Sequence, residues 1–301
     1  MKKIILIISI ITICSLFGQA QQMNSFTLYP LNRYVQNPAA AGTKPYLFIS
    51  TSFSRYWSGI NGAPEIQAMS AHSLLSQRTA IGFNLLNENT GLSGKTGAEF
   101  SYAYHLPISS GGTKLSFGLS ALVSQYKMFT EKFVVDNIDD ELIKNSENSI
   151  IVPDAAFGMS LYQENKFFVD FSIRQLLGRS VNFVNPENLE NKQIRHYSLG
   201  LGCLLSINEN IEIEPSALLK ASEAMVVQAD LGARAIFNKS ISIGCYYRTN
   251  DGIFPFIGYD TKNIMFAYSY GVLMGDVANY STGSHEIMLI LKLNYSKSNL
   301  E

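Results

Sequence analysis

Beyond residue 45, apolar and polar residues alternate with a period of two, again and again. Leu115, Phe117, Leu119, Ala121 and Val123 interleave with Ser116, Gly118, Ser120 and Ser124. Tyr197, Leu199, Leu201, Cys203, Leu205 and Ile207 interleave with Ser198, Gly200, Gly202 and Ser206. The same holds for Ala229 to Phe237 against Gln228, Asp230, Gly232 and Arg234, and for Ile241 to Tyr247 against Ser242, Gly244, Tyr246 and Arg248. Side chains of a strand alternate between its faces, so each run is a strand with one greasy and one small or polar face; helical spacing fits none of them.

About fourteen such segments can be counted. Their expected spans are Tyr46–Trp57, Pro64–Ser73, Thr79–Glu88, Thr96–Leu106, Thr113–Tyr126, Pro153–Gln163, Lys166–Gln175, Ile194–Ile207, Asn210–Leu219, Met225–Phe237, Ser240–Thr249, Gly252–Tyr259, Lys262–Tyr270 and His285–Tyr295. Pro64, Pro215 and Pro255 remove ladder donors from the second, ninth and twelfth. Connections after even-numbered segments are all short. Every long one follows an odd-numbered segment: Lys127–Val152, Leu176–Gln193 and Gly271–Ser284. An up-and-down membrane barrel sorts its loops in this way, with short turns on the periplasmic side, whereas a Greek-key sandwich does not. The expected fold is all-β: an up-and-down transmembrane β-barrel of about 14 antiparallel strands over 46–301, with both termini periplasmic. Tyr46, Trp57, Tyr126, Tyr259, Tyr270 and Tyr295 lie near strand ends, as residues of an interfacial aromatic girdle would.

The first residues suit export. Lys2 and Lys3 precede the apolar run Ile4 to Phe17, and Gly18-Gln19-Ala20 offers small residues for cleavage, so residues 1–20 read as a signal peptide. Residues 21–45 carry Pro30, Pro38 and Pro45 and no alternation, which makes them a periplasmic lead-in or a plug in the lumen. Charged residues are only 16% of the 301, and the formal net charge of −1 gives no reason to expect nucleic acid as a partner. Outer-membrane lipid is the expected surroundings.

Candidate chemistry is sparse. His72, His105, His196 and His285 have no close-spaced partners of metal-ligand type and are expected to face the lumen, so neither metal nor cofactor is expected. No Gly-x-Ser-x-Gly elbow occurs, and no catalytic set is recognisable. Cys203 and Cys245 fall on separate strands and face outward, which excludes a disulfide between them. The inward positions carry both signs of charge: Glu99, Asp170, Arg174, Glu212, Glu214, Asp230, Arg234, Arg248, Glu286 and Lys292. Such charges can pair across strands, or line a cavity for a polypeptide segment or a small solute. The acidic residues Asp136, Asp139, Asp140 and Glu141 centre the longest connection and read as a solvated face, or as a contact for a partner or a divalent cation.

Several motifs carry a family resemblance. Gln21-Gln22-Met23, Tyr29-Pro30-Leu31-Asn32 and Asn37-Pro38-Ala39-Ala40-Ala41-Gly42 open the mature chain. Arg55-Tyr56-Trp57-Ser58-Gly59-Ile60-Asn61-Gly62-Ala63-Pro64 follows, then His72-Ser73, and Ser284-His285-Glu286-Ile287-Met288-Leu289 closes it. Together they resemble the PorP/SprF family of the type IX secretion system of Bacteroidota. The resemblance implies an outer-membrane barrel that supports secretion or surface attachment of cargo proteins with a C-terminal sorting domain, gliding adhesins among them. It implies as partners that cargo, periplasmic secretion-system components and a peptidoglycan-associated lipoprotein. It carries over no catalytic residue, so Asn37, Pro38, Ala39, Gly42, Trp57, Gly59, Gly62, Pro64, His72, His285 and Glu286 stand as structural or interaction candidates. Gly42, Gly59 and Gly62 suit tight turns, Pro38 and Pro64 the starts of strands, and Trp57 the outer end of the first strand near a membrane interface. The rival functions are a passive outer-membrane channel for small solutes and a soluble strand-rich surface protein.

Overall fold

The computed structural model describes residues 26–129, 149–183 and 192–294. The signal-peptide reading, the Gln21–Met23 motif, Tyr295 and the acidic residues of the longest connection fall outside them.

Fourteen antiparallel strands form one closed sheet. They are β1 Leu47–Arg55, β2 Glu65–Leu74, β3 Thr79–Thr90, β4 Ser93–Pro107, β5 Lys114–Met128, β6 Ser149–Gln163 and β7 Phe167–Arg174. Then come β8 His196–Cys203, continued by Leu205–Ser206, β9 Ile211–Ser222, β10 Val227–Phe237, β11 Ile241–Arg248, β12 Gly252–Asp260, β13 Ile264–Leu273 and β14 Ser284–Leu293. Each strand pairs with the next, and β14 closes on β1 with Leu47 opposite Leu293 and Arg55 opposite His285. β8 is split because Pro215 of β9 has no N–H to donate: the ladder runs from Ser216–Gly202 and resumes at Ile213–Leu205.

Polarity is inverted relative to a soluble protein. Leu119 is 61% exposed, while its neighbours Ser116 and Ser120 are 0% and 5% exposed. The apolar set of each strand faces out, toward lipid, and serines, glycines and charges face in. An arginine at Leu119, in the middle of β5, is expected to cost about 2–4 kcal/mol. Urea titration of the barrel in phospholipid vesicles measures this, and an unchanged midpoint would mean that Leu119 does not face hydrocarbon.

The connections 75–78, 108–113, 164–166, 207–210, 238–240 and 261–263 lie at one end, hereafter the short-turn end. The long connections lie at the other, with three brief ones among them. The barrel starts and stops at the short-turn end, since Leu47 and Leu293 are there.

Residues 26–43 lie inside. Phe26 packs with Tyr56, Ile66 and Ala68 at the long-loop end. The segment then descends through three single-turn 3-10 helices, Tyr29–Leu31, Arg33–Val35 and Pro38–Ala40, to Gly42 beside His72 and His105 near the short turns. Its apolar residues supply what core there is. Leu28 packs with Phe48, Tyr246, Phe254 and Met288, and Tyr34 with Ala80 and Ala103.

Several expectations need correction. Tyr46 and Tyr126 occupy inward positions, and Trp57 folds over the mouth against the Phe26 cluster instead of joining a lipid-facing girdle. Closing the lumen needs apolar area there, and Trp57 provides it. Of the expected girdle residues within the described region, Tyr259 and Tyr270 face out. His285 also faces out, between Arg55 and Tyr270 in the ladders, because it is one residue out of phase with inward-facing Glu286. Its Nδ1 lies 2.9 Å from the Tyr268 hydroxyl. Pro38 begins a 3-10 turn rather than a strand. Pro64 directly precedes β2.

Candidate functional site

The inner segment and the wall that receives it form the most specific arrangement in the molecule. Its short-turn half is built by Asn37-Pro38-Ala39-Ala40-Ala41-Gly42. The Asn37 Oδ1 accepts from the Ala39 N–H at 2.9 Å, capping the turn that Pro38 opens with its preset φ. The Asn37 Nδ2 donates to the Met159 carbonyl of β6 at 2.8 Å. The alanines are small because the turn lies against backbone. A Cβ on Gly118 would sit 2.3 Å from the Ala39 nitrogen, and one on Gly158 would sit 1.9 Å from the Asn37 Oδ1. Gly42, with φ of +69°, turns the chain toward β1 and donates its N–H to His72 Nδ1 at 3.1 Å. His72 stacks on Phe48, with ring centroids 4.7 Å apart. The structure thus brings Asn37, Pro38, Ala39, Gly42 and His72 together.

Serines at inward positions meet the rest of the segment. Asn32 Nδ2 donates to Ser50 at 2.6 Å and to Ser70 at 2.8 Å. Tyr34 OH lies 2.8 Å from Ser101 Oγ, and Ser172 donates to the Gln36 carbonyl at 2.8 Å. A serine is small enough to admit the segment and still supplies a hydroxyl partner for it. Arg33 pairs with Asp170 at 2.8 Å and lies over the Phe168 ring. At the long-loop end, Glu286 accepts from the backbone N–H groups of Thr27 at 2.6 Å and Leu28 at 3.1 Å.

The Trp57, Gly59, Gly62 and Pro64 motif is at that end too, away from Asn37. Its loop, 56–64, is fastened on two sides. Ser58 exchanges backbone bonds with Gly283 and Thr282 of the last connection, each 2.7 Å, and Gly62 accepts from Gly91 of the β3–β4 turn at 2.8 Å. The motif residues therefore form two groups, one holding the inner segment and one tying loops over the mouth, with His285 outside both.

The inward charges pair largely with one another. Arg174 meets Glu99 at 2.6 Å, Arg234 meets Glu214 at 2.9 Å, and Lys292 meets Asp260. Arg248 makes a two-pronged contact with Asp230 at 3.0 and 2.9 Å and also reaches Asp251 at 3.4 Å.

Between the inner segment and the opposite wall remains a cavity of about 470 Å³, at the short-turn end. Leu31, Asn32 and Arg33 form its floor. Glu212, Glu214, Arg234 and Ser242 line its side, and Lys44, Tyr46, Lys166 and Lys239 stand at its rim. Burial, and after it the nearby Asp260 and Glu164 carboxylates, push the Tyr46 phenol up to about 12, so it serves as a neutral hydroxyl. Sequence reasoning missed Gly118, Gly158 and the inward serines, because a small inward residue looks alike whether it faces water or a packed segment.

Valine at Gly158 is expected to push the Asn37 turn off the wall, lowering stability by about 1–3 kcal/mol. Limited trypsin digestion reads the release as faster cleavage after Arg33. Ala121→Val, on the outward face, should leave the rate unchanged, and equal rates in the two variants would refute the close packing.

The profile of the family described as "Type IX secretion system membrane protein PorP/SprF" matches residues 18–291. No curated protein matches the chain. Among solved structures, a Pseudomonas aeruginosa FadL homologue is 10% identical, with 86% of this chain and 93% of that one covered and a TM-score of 0.47. The Acinetobacter baumannii outer membrane protein Omp33 is 9% identical, with 84% and 100% covered and a TM-score of 0.44. A KdgM porin is 7% identical, with 81% and 98% covered and a TM-score of 0.40. Values this low say nothing of what this chain carries.

Proposed function

The chain belongs to the PorP/SprF family of type IX secretion system membrane proteins, and from that membership we propose that it is a non-enzymatic outer-membrane barrel that supports secretion or surface attachment of cargo proteins carrying a C-terminal sorting domain. Gliding adhesins are one such cargo class. The observation that favours this over passive transport is the inner segment. A channel for small solutes needs a continuous path, and residues 26–43 stand across it, bonded to β1, β2, β4, β6, β7 and β14. In this reading the short turns face the periplasm, where the secretion components and the peptidoglycan-associated lipoprotein are met. The tied loops 56–64 and 274–283 face outward to the cargo. The Trp57 motif then works as a scaffold that keeps the outer surface rigid, which spares a bound partner some ordering entropy.

Deletion of the gene followed by surface proteomics tests the proposal. Proteins with a C-terminal sorting domain should disappear from the cell surface and reappear when the intact chain is restored. A surface proteome indistinguishable from the parent would sink it.

A further inference from the structure

The wall is uneven at the long-loop end. β5 and β6 have 15 residues each, whereas β7 has 8. The upper part of β6 pairs with β5 throughout, from Ser149 opposite Lys127 to Asp154 opposite Leu122. On its other side the ladder with β7 reaches only Phe157 opposite Ile173, and one further bond follows, from the Leu176 N–H to the Ala155 carbonyl at 3.1 Å. Two causes end it. Pro153 has no N–H to offer on that side. Gln175 and Gly178, with φ of +59° and +54°, turn the chain off the edge. The Leu177 N–H then goes to the inward Asp154 carboxylate at 3.0 Å, which draws the connection to the lumen side. Successive residues of a strand turn their backbone groups to opposite neighbours. Ser149, Ile151 and Pro153 therefore face the same way as Ala155. None of the three has a backbone partner on that side among the described residues. Ile151 is 67% exposed, and no charged residue occurs from Ser149 to Pro153. Sheet edges that stay in water are guarded by lysines, bulges or extreme shortness; apart from Pro153 at its lower end, this β-branched edge is unguarded.

We propose that the edge Ser149–Pro153 takes up an extended segment of another protein as an added strand, held by backbone hydrogen bonds. At about 3.4 Å per residue the edge is about 17 Å long, room for a segment of about five residues. Ile151 borders the added strand on the outward face, and Ile150 and Val152 border it on the inward face. An uncharged, β-branched segment fits such neighbours. A second copy of this chain does not fit. Two barrels in one membrane are related by an axis along the membrane normal, which cannot reverse strand direction, so their tilted β6 edges cross. The antiparallel pair that identical edges form needs one barrel upside down. That the partner is met outside the cell rests on the orientation proposed above, whereas the open edge itself does not.

The test uses the intact chain in lipid nanodiscs, with amide hydrogen exchange resolved to single residues. In the chain alone, Ser149 and Ile151 are expected to exchange fast, and Ile150 and Val152, bonded to β5, slowly. The probe is a fluorescein-labelled Thr-Val-Thr-Val-Thr-Val peptide, read by anisotropy. Saturable binding is expected, with Ile151 exchange slowed roughly tenfold or more at saturation. Ile151→Pro removes an edge donor and no bond to β5, and is expected to weaken binding roughly tenfold or more. Ala121→Val, on the lipid-facing side of β5, should leave binding unchanged. Heat-modifiable mobility on gels confirms that each variant is folded. A probe N-methylated at alternate residues binding as tightly as the plain one, full affinity in Ile151→Pro, or no binding at all would overturn the proposal. Slow exchange at Ser149 and Ile151 in the chain alone would overturn it in favour of another segment of this chain, such as 130–148. Protection that grows with protein concentration would overturn it in favour of a second copy. Probe binding with an unchanged surface proteome after gene deletion counts against the secretion role alone. Cargo lost from the surface with no probe binding counts against this edge alone.

Discussion

A chain lacking residues 26–43 is expected to conduct ions across planar bilayers in discrete steps, where the intact chain stays near the baseline. Fourteen strands enclose more space than inward side chains alone can fill, since about eight already suffice for a filled barrel. Here the inner segment supplies the filling with Leu28, Tyr29, Tyr34, Ala39, Ala40 and Ala41, all buried. Removing the whole segment also takes away Asn32, Tyr34, the Gln36 carbonyl and the Thr27 N–H, and so strips partners from Ser50, Ser70, Ser101, Ser172 and Glu286 and exposes each to water. The barrel ladder itself makes no use of the segment, so the variant should still assemble, with lower stability. Each large apolar residue withdrawn from burial contributes about 1.5–3 kcal/mol to that loss. Equal conductance in the two proteins would show that the segment does not block the lumen, and would restore the passive channel as the leading function.

The second large effect is expected at Arg248. Its guanidinium is 3% exposed and its partner Asp230 is 2% exposed. It also lies 4.9 Å from the centre of the Phe254 ring. Alanine there leaves Asp230 and Asp251 facing each other in a dry lumen, which is expected to cost about 3–5 kcal/mol. Arg55, whose pair with Glu65 lies on the outer rim with side-chain exposures of 52% and 35%, should cost no more than about 1 kcal/mol when replaced by alanine. Urea unfolding in lipid vesicles compares the two. The double variant Arg248→Met with Asp230→Leu should recover part of the loss, because removing both charges removes the desolvation penalty with them. Similar costs for Arg248→Ala and Arg55→Ala would mean that the inner pair is as well hydrated as the rim pair.

The elements were legible to different degrees. Leu115 to Val123 and Tyr197 to Ile207 announced their strands and their outward faces directly. The junction of β3 and β4 did not. A connection from 89 to 95 was expected, yet the strands run on and turn at Gly91-Leu92. Asn87, Asn89 and Thr96 break the apolar alternation of the outer face, but their part of the hairpin lies toward the long-loop end. Strands that rise past the hydrocarbon layer no longer need an apolar outer face, while the ladder bonds persist. Pro215 and Pro255 lie within strands, inside the spans expected for them, because one missing donor opens a ladder locally without ending it.

What the sequence determined alone was the barrel: the period of two, the even number of strands, the sorting of loop lengths and the inward set of charges. All of these are local or additive properties, written in the polarity of neighbouring residues. The tertiary structure alone decided the path of residues 26–43, the partner of each inward charge, and the turning of Trp57 and His285 away from their expected faces. Those outcomes rest on contacts such as Asn37 with Met159 and Thr27 with Glu286. Such contacts join distant positions, and on one side they use backbone groups, which every residue carries and no side chain advertises.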